Sequence, residues 1–248
     1  PSSFWSRSKA ISTAYQTFAG LVYMIQIQLV SSDDEAMEHS LIEFCDPKDR
    51  FCMDKIWGLL RPTFDSIIEI MEMQFRRRKH QVSSSDLDLL EMRLFLSAPA
   101  YPEAVQDEEV KSMIYHQSYM FYYAFLTHIR RSLREATLCE VSLLVERIFG
   151  HLEAMLGCTR RIFSPCVWPI AVASFEIVDE TLYRRALDLL DRLKNETHFE
   201  VWCSLKTLAV DIWAARRTDM CGSSMSDLYW EKLLQRLQSQ GSPQILLA

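Results

Sequence analysis

The stretch SPCVWPIAVASFEIVDE, residues 164–180, holds a long apolar run with a single carboxylate, Glu176, inside it. Pro169 has no amide hydrogen and disturbs a helix unless it lies near the start, so either the main helix begins near Trp168 or the helix is kinked there. Between residues 170 and 178, apolar side chains would cover every side of this helix. A helix that is apolar all round is surrounded by other helices, so the stretch predicts an all-α protein packed around a central apolar helix.

Glu176 needs a partner, because an unpaired charge in a core is too costly to persist. That partner is an arginine or lysine from another helix, a set of backbone donors, or a ligand. We interpret Glu176 as one half of an internal ion pair, and ligand binding is the alternative. The small side chains of Ala171, Ala173 and Ser174 would let the neighbouring helices approach closely.

Composition and periodicity extend the helical prediction to the whole chain. Of the 248 residues only 6 are glycine and 8 are proline, too few for the turns of a many-stranded β protein. Helical spacing recurs along the chain, and one apolar stripe consists of Val141, Leu144, Val145, Ile148, Leu152 and Leu156. The sequence therefore predicts a single helical domain, residues 1–248, of roughly ten helices.

Charge and cysteine usage exclude several classes of function. The formal net charge is -6, and surfaces that bind nucleic acids are usually basic, so we expect no direct contact with nucleic acid. The seven cysteines include no Cys-x-x-Cys pair, which indicates reduced thiols and not a disulfide framework or a zinc site. No apolar run reaches the ~18 residues of a membrane span, so none is expected.

Three stretches carry a resemblance to a known family. WPIAVASFEIVDETLYRRALDLL, residues 168–190, is similar to the part of the fungal-specific transcription factor domain in which Trp-Pro leads an apolar helix, an acidic residue follows and an arginine-bearing helix comes next. SYMFYYAFLTHIRRSL, residues 118–133, resembles that family's long aromatic helix with a basic end. DLYWEKLLQRL, residues 227–237, is similar to the family's C-terminal close.

The resemblance implies a regulatory, non-enzymatic domain of a fungal zinc-cluster transcription factor, located in the nucleus with or without shuttling to the cytoplasm. Such a domain is expected to respond to a small-molecule effector, for example a sterol or a metabolite, to bind transcriptional co-regulators and to form homodimers. The family's zinc ions lie in a separate N-terminal DNA-binding module with six cysteines. Cys45 and Cys52 do not supply that module, so no zinc and no other cofactor is expected in this chain.

Aromatic side chains supply the candidate ligand site. Tyrosine hydroxyls and a carboxylate among apolar rings are typical of a ligand pocket, although aromatic residues of a buried helix more often form plain core. The candidate ligand-binding residues are Tyr119, Phe121, Tyr122, Phe125, Trp168, Phe175, Glu176, Trp202 and Trp213. No catalytic residue is predicted. His116 and His128 have no carboxylate or cysteine at ligand spacing, so they do not indicate a metal site.

Two other functions stay open on the same fold. One is a helical protein-interaction scaffold without a ligand. The other is a helical isoprenoid-type enzyme, suggested by the acidic run at residues 33–35, but Met37 stands where a further magnesium-binding acid is needed. The basic run at residues 76–80 is either a nuclear-import or nucleic-acid signal or the C-terminal end of a helix, where cations complement the helix dipole; we favour the helix end.

Overall fold

The computed structural model describes residues 82–103, 105–158 and 165–219, and in addition Glu69, Ile70, Met73, Arg76, Arg77, Trp230 and Leu233. Six helices lie in this part of the chain: α1 Ser84–Leu96, α2 Glu108–Ser132, α3 Leu138–Leu156, α4 Val167–Phe175, α5 Glu180–Thr197 and α6 Val201–Asp219. The described residues contain no strand, which confirms the all-α class, but they do not support the prediction of roughly ten helices. Within them, no helix has both the length and the apolarity that a membrane span requires.

The central helix of the fold is α4. It begins at Val167 and places Pro169 in its first turn. The N–H groups of the first turn have no partner inside the helix, so a proline there costs no intrahelical hydrogen bond. Of the two alternatives for this proline, the helix that starts near Trp168 is the one observed. Every residue from Pro169 to Phe175 is buried, and α4 contacts α2, α3 and α6. The prediction of a central apolar helix is therefore confirmed.

This helix ends earlier than its apolar pattern predicts. Glu176 is its C-cap residue, and Val178 is 40% exposed, so the prediction of an apolar helix that continues to residue 178 is wrong. The physical reason is the start of α5, where the Asp179 side chain accepts a hydrogen bond from the N–H of Leu182 at 2.8 Å. An N-cap residue has a non-helical backbone, so the chain must leave α4 before residue 179.

Side-chain caps fix the starts of α2 and α3, two of the helices that contact α4. Asp107 caps α2 by accepting hydrogen bonds from two N–H groups of its first turn. Thr137 and Glu140 form a reciprocal capping box at the start of α3. Each cap satisfies N–H groups that have no partner inside the helix.

The buried side chains form two hydrophobic clusters. The larger cluster surrounds α4 with residues of α2, α3, α5 and α6, and it includes Trp230 and Leu233. The smaller cluster lies between α1 and α2 and includes Ile70 and Met73. Trp168, in the first turn of α4, packs against both clusters. Helix α2 contributes buried side chains to both clusters, and Trp168 lies at the boundary between them.

Close packing around α4 leaves no room for a larger side chain at Ala173, which is 0% exposed. We expect Ala173→Leu to lower the free energy of unfolding by about 1–3 kcal/mol, the usual cost of overpacking a core. Urea denaturation followed by circular dichroism measures the change. The matched control is Ala154→Leu, because Ala154 lies exposed on α3; equal losses in the two variants would contradict a tightly packed α4.

Candidate functional site

Glu176 lies in a buried ionic centre, which we define as Glu176, Arg131 and Arg216. Arg131 Nε lies 2.8 Å from Glu176 Oε2, and Arg216 Nη2 lies 3.3 Å from the same oxygen. The Glu176 side chain is 0% exposed, and the side chains of Arg131 and Arg216 are 2% and 5% exposed. The interpretation of Glu176 as part of an internal ion pair is therefore confirmed, with two arginines in place of one.

Three helices bring the ionic centre together. Arg131 lies in the last turn of α2, Arg216 lies in the last turn of α6, and Glu176 is the C-cap residue of α4. Cations are favoured in the last turn of a helix, where the helix dipole is negative. One carboxylate thus holds the C-terminal ends of three helices in contact.

Both guanidinium groups also bind backbone carbonyls. Arg131 Nη1 donates to the carbonyl of Ala136, in the connection between α2 and α3. Arg216 Nη1 donates to the carbonyl of Phe175, the last residue of α4. The last carbonyls of a helix have no partner inside it, so Arg216 supplies one for α4. The ionic centre therefore also organises the backbone at two helix ends.

Burial and charge act in opposite directions on Glu176. Burial raises the pKa of its carboxyl above the ordinary value, whereas Arg216 and Arg131 oppose that rise by stabilising the carboxylate. A hydrogen bond with the backbone of Trp230 acts in the same sense as the arginines. If the carboxylate is removed, two buried guanidinium charges lose their shared counterion, which is a costly state for a core.

Three of the candidate ligand residues pack against one another, and we call Phe121, Phe125 and Trp168 the aromatic triad. The ring centroids of Phe121 and Trp168 lie 5.9 Å apart and those of Phe125 and Trp168 lie 5.0 Å apart. The His128 ring lies 6.0 Å from Trp168. Both phenylalanines are buried on α2, whereas Trp168 is only partly buried. The triad is thus a mostly apolar group that reaches solvent at one ring.

The other candidate residues lie in separate groups. Phe175 packs against Trp230, with ring centroids 5.2 Å apart. Trp202 is buried and donates from Nε1 to a threonine hydroxyl of α5 at 2.9 Å. Trp213 donates from Nε1 to the carbonyl of Ile177 at 3.1 Å. The nine candidates therefore occupy several places around α4, and their contact with a ligand stays a prediction.

Tyr119 and Tyr122 belong to a tyrosine–histidine cluster between α2 and α3, which consists of Tyr115, His116, Tyr119, Tyr122, Tyr123 and His151. The Tyr119 ring stacks on His151, with centroids 4.9 Å apart and an angle of 5° between the planes. His116 Nδ1 lies 2.8 Å from His151 Nδ1. Sequence analysis did not single out His151, because it is separated from His116 by 35 residues and no motif surrounds it.

Burial holds the histidines of α2 and α3 in their neutral form. It lowers the pKa of His128 to about 4. Burial, with smaller contributions from His116 and Arg147, lowers the pKa of His151 to about 4. The pKa of His116 is also lowered by burial. The uncharged imidazoles therefore contribute hydrogen bonds and ring contacts at neutral pH, and no positive charge.

A groove of about 370 Å³ lies beside α3 and the start of α5. The groove is lined by Ser142, Leu143, Glu146, Asp179, Thr181, Leu182 and Arg185. None of the nine candidate ligand residues lines it, and Leu143 is 57% exposed there. In the part of the chain that the structure describes, no three His, Cys, Asp or Glu side chains come together as a metal-binding group.

Arg77, from the basic run, contacts the end of α2. Its guanidinium donates to the carbonyl of Ser132 and to the Glu135 carboxylate, the latter at 2.9 Å. These contacts support a structural role for Arg77. Residues 78–80 of the basic run and the acidic run at residues 33–35 lie outside the described residues.

A family model described as the fungal specific transcription factor domain matches residues 6–242. The chain belongs to this family. The match covers nearly the whole sequence, including the three stretches that carried the resemblance. A fungal specific transcription factor domain has a regulatory role in transcription, and its family is not a family of enzymes. No curated protein and no solved structure matches the chain.

The two arginines that hold Glu176 are missing from the residues that sequence analysis named. A partner of this kind was expected, but the chain has 27 lysines and arginines, and charge alone does not select among them. The helix that carries each arginine offers a signal. Arg131 and Arg216 each end a long helix whose remaining length is largely apolar, so each is placed beside the core.

Loss of the carboxylate is expected to destabilise the domain strongly. Glu176→Gln keeps the shape of the side chain but leaves Arg131 and Arg216 without a shared counterion, so the free energy of unfolding should fall by about 3–5 kcal/mol. Urea denaturation measures this loss. The matched control is Glu180→Gln, whose partially exposed ion pairs with Arg184 and Arg217 should be worth at most about 1 kcal/mol. A Glu176→Gln variant as stable as its control would disprove a structural role for the ionic centre.

Stability is also expected to fall as the pH drops from about 6.5 towards 4. In the unfolded chain His128 charges around its ordinary pKa of 6.5, whereas in the folded domain it charges only near a pKa of about 4. The unfolded state therefore binds more protons in this window, which lowers the free energy of unfolding by about 1.4 kcal/mol per pH unit for each such group. Urea denaturation at several pH values gives the slope.

The variant that isolates this effect is His128→Gln, which should show a shallower pH dependence than the unsubstituted domain. Its control is His198→Asn, because His198 lies exposed at the end of α5 in a left-handed backbone conformation that asparagine tolerates. If the slopes of all three proteins agree, the buried neutral histidine does not contribute.

Proposed function

We propose that this domain is the effector-responsive regulatory part of a fungal zinc-cluster transcription factor and acts in the nucleus. An effector or a co-regulator favours one packing of its helices over another and thereby changes transcription. The observation that carries the proposal is the position of α4. This helix bears Trp168 of the aromatic triad at its start and Glu176 of the ionic centre at its end.

The aromatic triad is the part of the site best suited to a small molecule. Phe121 and Phe125 supply apolar contact area, and Trp168 is accessible from solvent on one side. His128 adds a polar group beside the indole. Pockets for organic ligands are lined mainly by aromatic and aliphatic side chains with a few polar groups. A sterol or another ring-containing metabolite has the matching chemistry.

A ligand at the triad would act on the ionic centre through α4. The helix has only 9 residues and is buried on all sides, so a displacement of its first turn moves its C-cap residue as well. At the C-cap, the buried charges of Glu176, Arg131 and Arg216 must stay paired. Packed cores change between discrete arrangements and do not deform continuously, so the displacement would lead to a second defined packing. The effector shifts this equilibrium only by its difference in affinity for the two arrangements.

The rest of the factor completes the proposal. DNA contact and zinc binding belong to a separate N-terminal module, and this domain supplies neither. Homodimer formation and the binding of transcriptional co-regulators would depend on which packing the helices adopt. The proposal rests on family membership for the role in transcription and on the position of α4 for the response.

A helical interaction scaffold without a ligand is the second candidate, and the groove beside α3 favours it. Leu143 is an exposed apolar side chain in that groove, with the carboxylates of Glu146 and Asp179 nearby. Exposed apolar groups with a polar rim are typical of protein contact sites. Under this alternative Leu143→Arg, and not a change in the aromatic triad, would abolish transcriptional regulation by the intact factor.

Thermal unfolding of the domain with a panel of sterols and metabolites tests the proposal. A ligand that binds the folded state at about 100 times its Kd stabilises by about 2.7 kcal/mol, so the effector should raise the Tm by several degrees. The Phe121→Ala variant should lose this ligand-dependent increase.

The matched control for that variant is Phe149→Ala. Both phenylalanines are buried, so both variants lose basal stability, but Phe149 does not belong to the aromatic triad. The proposal requires that only Phe121→Ala weakens the response to the ligand. If the two variants respond alike, or if no compound in the panel changes the Tm, the scaffold becomes the better account.

A further inference from the structure

The groove beside α3 and the start of α5 combines exposed apolar and acidic side chains. Leu143 of α3 is 57% exposed there, and Leu182 of α5 also lines the groove. We propose that this groove binds an amphipathic helix of a partner protein, one whose apolar face is flanked by lysine or arginine side chains. The inference rests on the scaffold candidate, for which it names the chemistry of the partner, and it does not depend on an effector at the aromatic triad.

Two helices supply the walls of the groove. Leu143 and Glu146 stand three residues apart on α3, and Leu182 and Arg185 stand three residues apart on α5, so each pair lies on one face of its helix. A groove between two helices accepts the side chains of a third helix, which enter it at three- and four-residue spacing. Its volume of about 370 Å³ holds a few side chains and not a whole helix. The partner's helix would therefore lie along the groove with only its apolar side chains inserted.

The apolar side chains of the groove provide the contact area. A single exposed leucine on a protein surface needs no explanation. Leu143, however, lies in a concave surface that Leu182 also lines, and Val178, which directly precedes the lining residue Asp179, is 40% exposed. Exposed apolar side chains that are grouped and bordered by polar ones are typical of a contact site for another protein.

Charge selects the kind of partner. Arg185 lines the groove, but its Nε and Nη2 atoms donate to the two carboxylate oxygens of Glu153, each at 2.6 Å, so its charge is neutralised within the domain. The carboxylates of Glu146 and Asp179 then leave the lining with an excess of negative charge. Complementary charge guides partners together and suppresses partners of the wrong sign. A cationic amphipathic helix therefore fits this groove, and an acidic one does not.

Other positive charges of α3 and α5 do not cancel this excess inside the groove. Arg184 pairs with Glu180 at 3.3 Å, and the Arg147 guanidinium lies 5.4 Å from the centroid of the Tyr123 ring, on the side of α3 that faces α2. Neither arginine lines the groove. The lysines or arginines of the partner would thus meet Glu146 and Asp179 before they meet a like charge.

Selection from a displayed library of helical peptides of about 15 residues, with the 248-residue chain as bait, tests the groove. Peptides that also bind the Leu143→Arg variant are removed first. We expect the remaining peptides to share apolar residues three or four positions apart, with lysine or arginine beside them. Enrichment of acidic peptides, or the lack of any peptide that distinguishes the two baits, would overturn the proposal.

Fluorescence anisotropy with a selected peptide measures the contribution of each side chain. Leu143→Ser should weaken binding by about 30-fold, as the loss of a central apolar contact does, and Glu146→Lys by about 10-fold. The matched controls are Leu89→Ser and Glu103→Lys, which change an exposed leucine and an exposed glutamate outside the groove and should leave the affinity unchanged. Because all four side chains are exposed, each variant should keep its fold.

The salt dependence of the same measurement separates charge from apolar contact. Added salt should weaken binding to the unsubstituted chain, and this effect should be smaller in Glu146→Gln, because salt screens exposed charges. The effector proposal is judged separately by the thermal unfolding panel, since no residue of the aromatic triad lines the groove. Equal losses of peptide affinity in the groove variants and in their controls, or binding that does not respond to salt, would overturn the cationic helix as the partner.

Discussion

The desolvation of one carboxylate governs the arrangement of this domain. Glu176 is removed from water by the helix that carries it, and such a charge persists only with partners of excellent geometry. Arg131 and Arg216 provide them, and each has a second contact with a backbone carbonyl, at Ala136 and at Phe175. The charge requirement thus ties together the end of α4, the turn of the chain after α2 and the end of α6.

The position of the aromatic triad depends on the same helix, α4. Since its two arginines hold Glu176 at the end of α4, the length of the helix places Trp168 at the other end, where it packs against both hydrophobic clusters. Phe121 and Phe125 lie on the same helix as Arg131, so α2 contacts both ends of α4. The two ends are therefore linked twice, once through α4 and once through α2. Under the proposed mechanism, a displacement at one end of α4 would reach the other end only if α4 and α2 both move.

Sequence reasoning succeeded where physical necessity leaves few solutions. An all-round apolar segment must be central, Pro169 must lie near a helix start or at a kink, and Glu176 must have a partner for its charge; each of these follows from solvation or backbone geometry. It failed where several solutions have similar energies. The choice of Arg131 and Arg216 depends on how three helices cross, and the pairing of His116 with His151 depends on the register of α2 against α3. Val178 was misplaced because an apolar side chain tolerates solvent at a small cost, whereas a charge does not tolerate the core.

A buried ionic centre is weak evidence for stability, because well-packed apolar side chains of similar size often replace such a group without loss. Its physical consequence is selectivity among packings. An apolar core accepts many nearly equivalent arrangements, but three buried charges accept only those in which the carboxylate still meets both guanidiniums. Under the proposed mechanism the domain would therefore have few alternative packings, separated by definite differences in free energy. An effector that shifts their populations must bind one state more tightly than the other by at least the free-energy difference between them, since each factor of ten in affinity ratio changes the equilibrium by about 1.4 kcal/mol. In this domain the demand for paired charges, more than the total area of buried apolar surface, makes a two-state response physically reasonable.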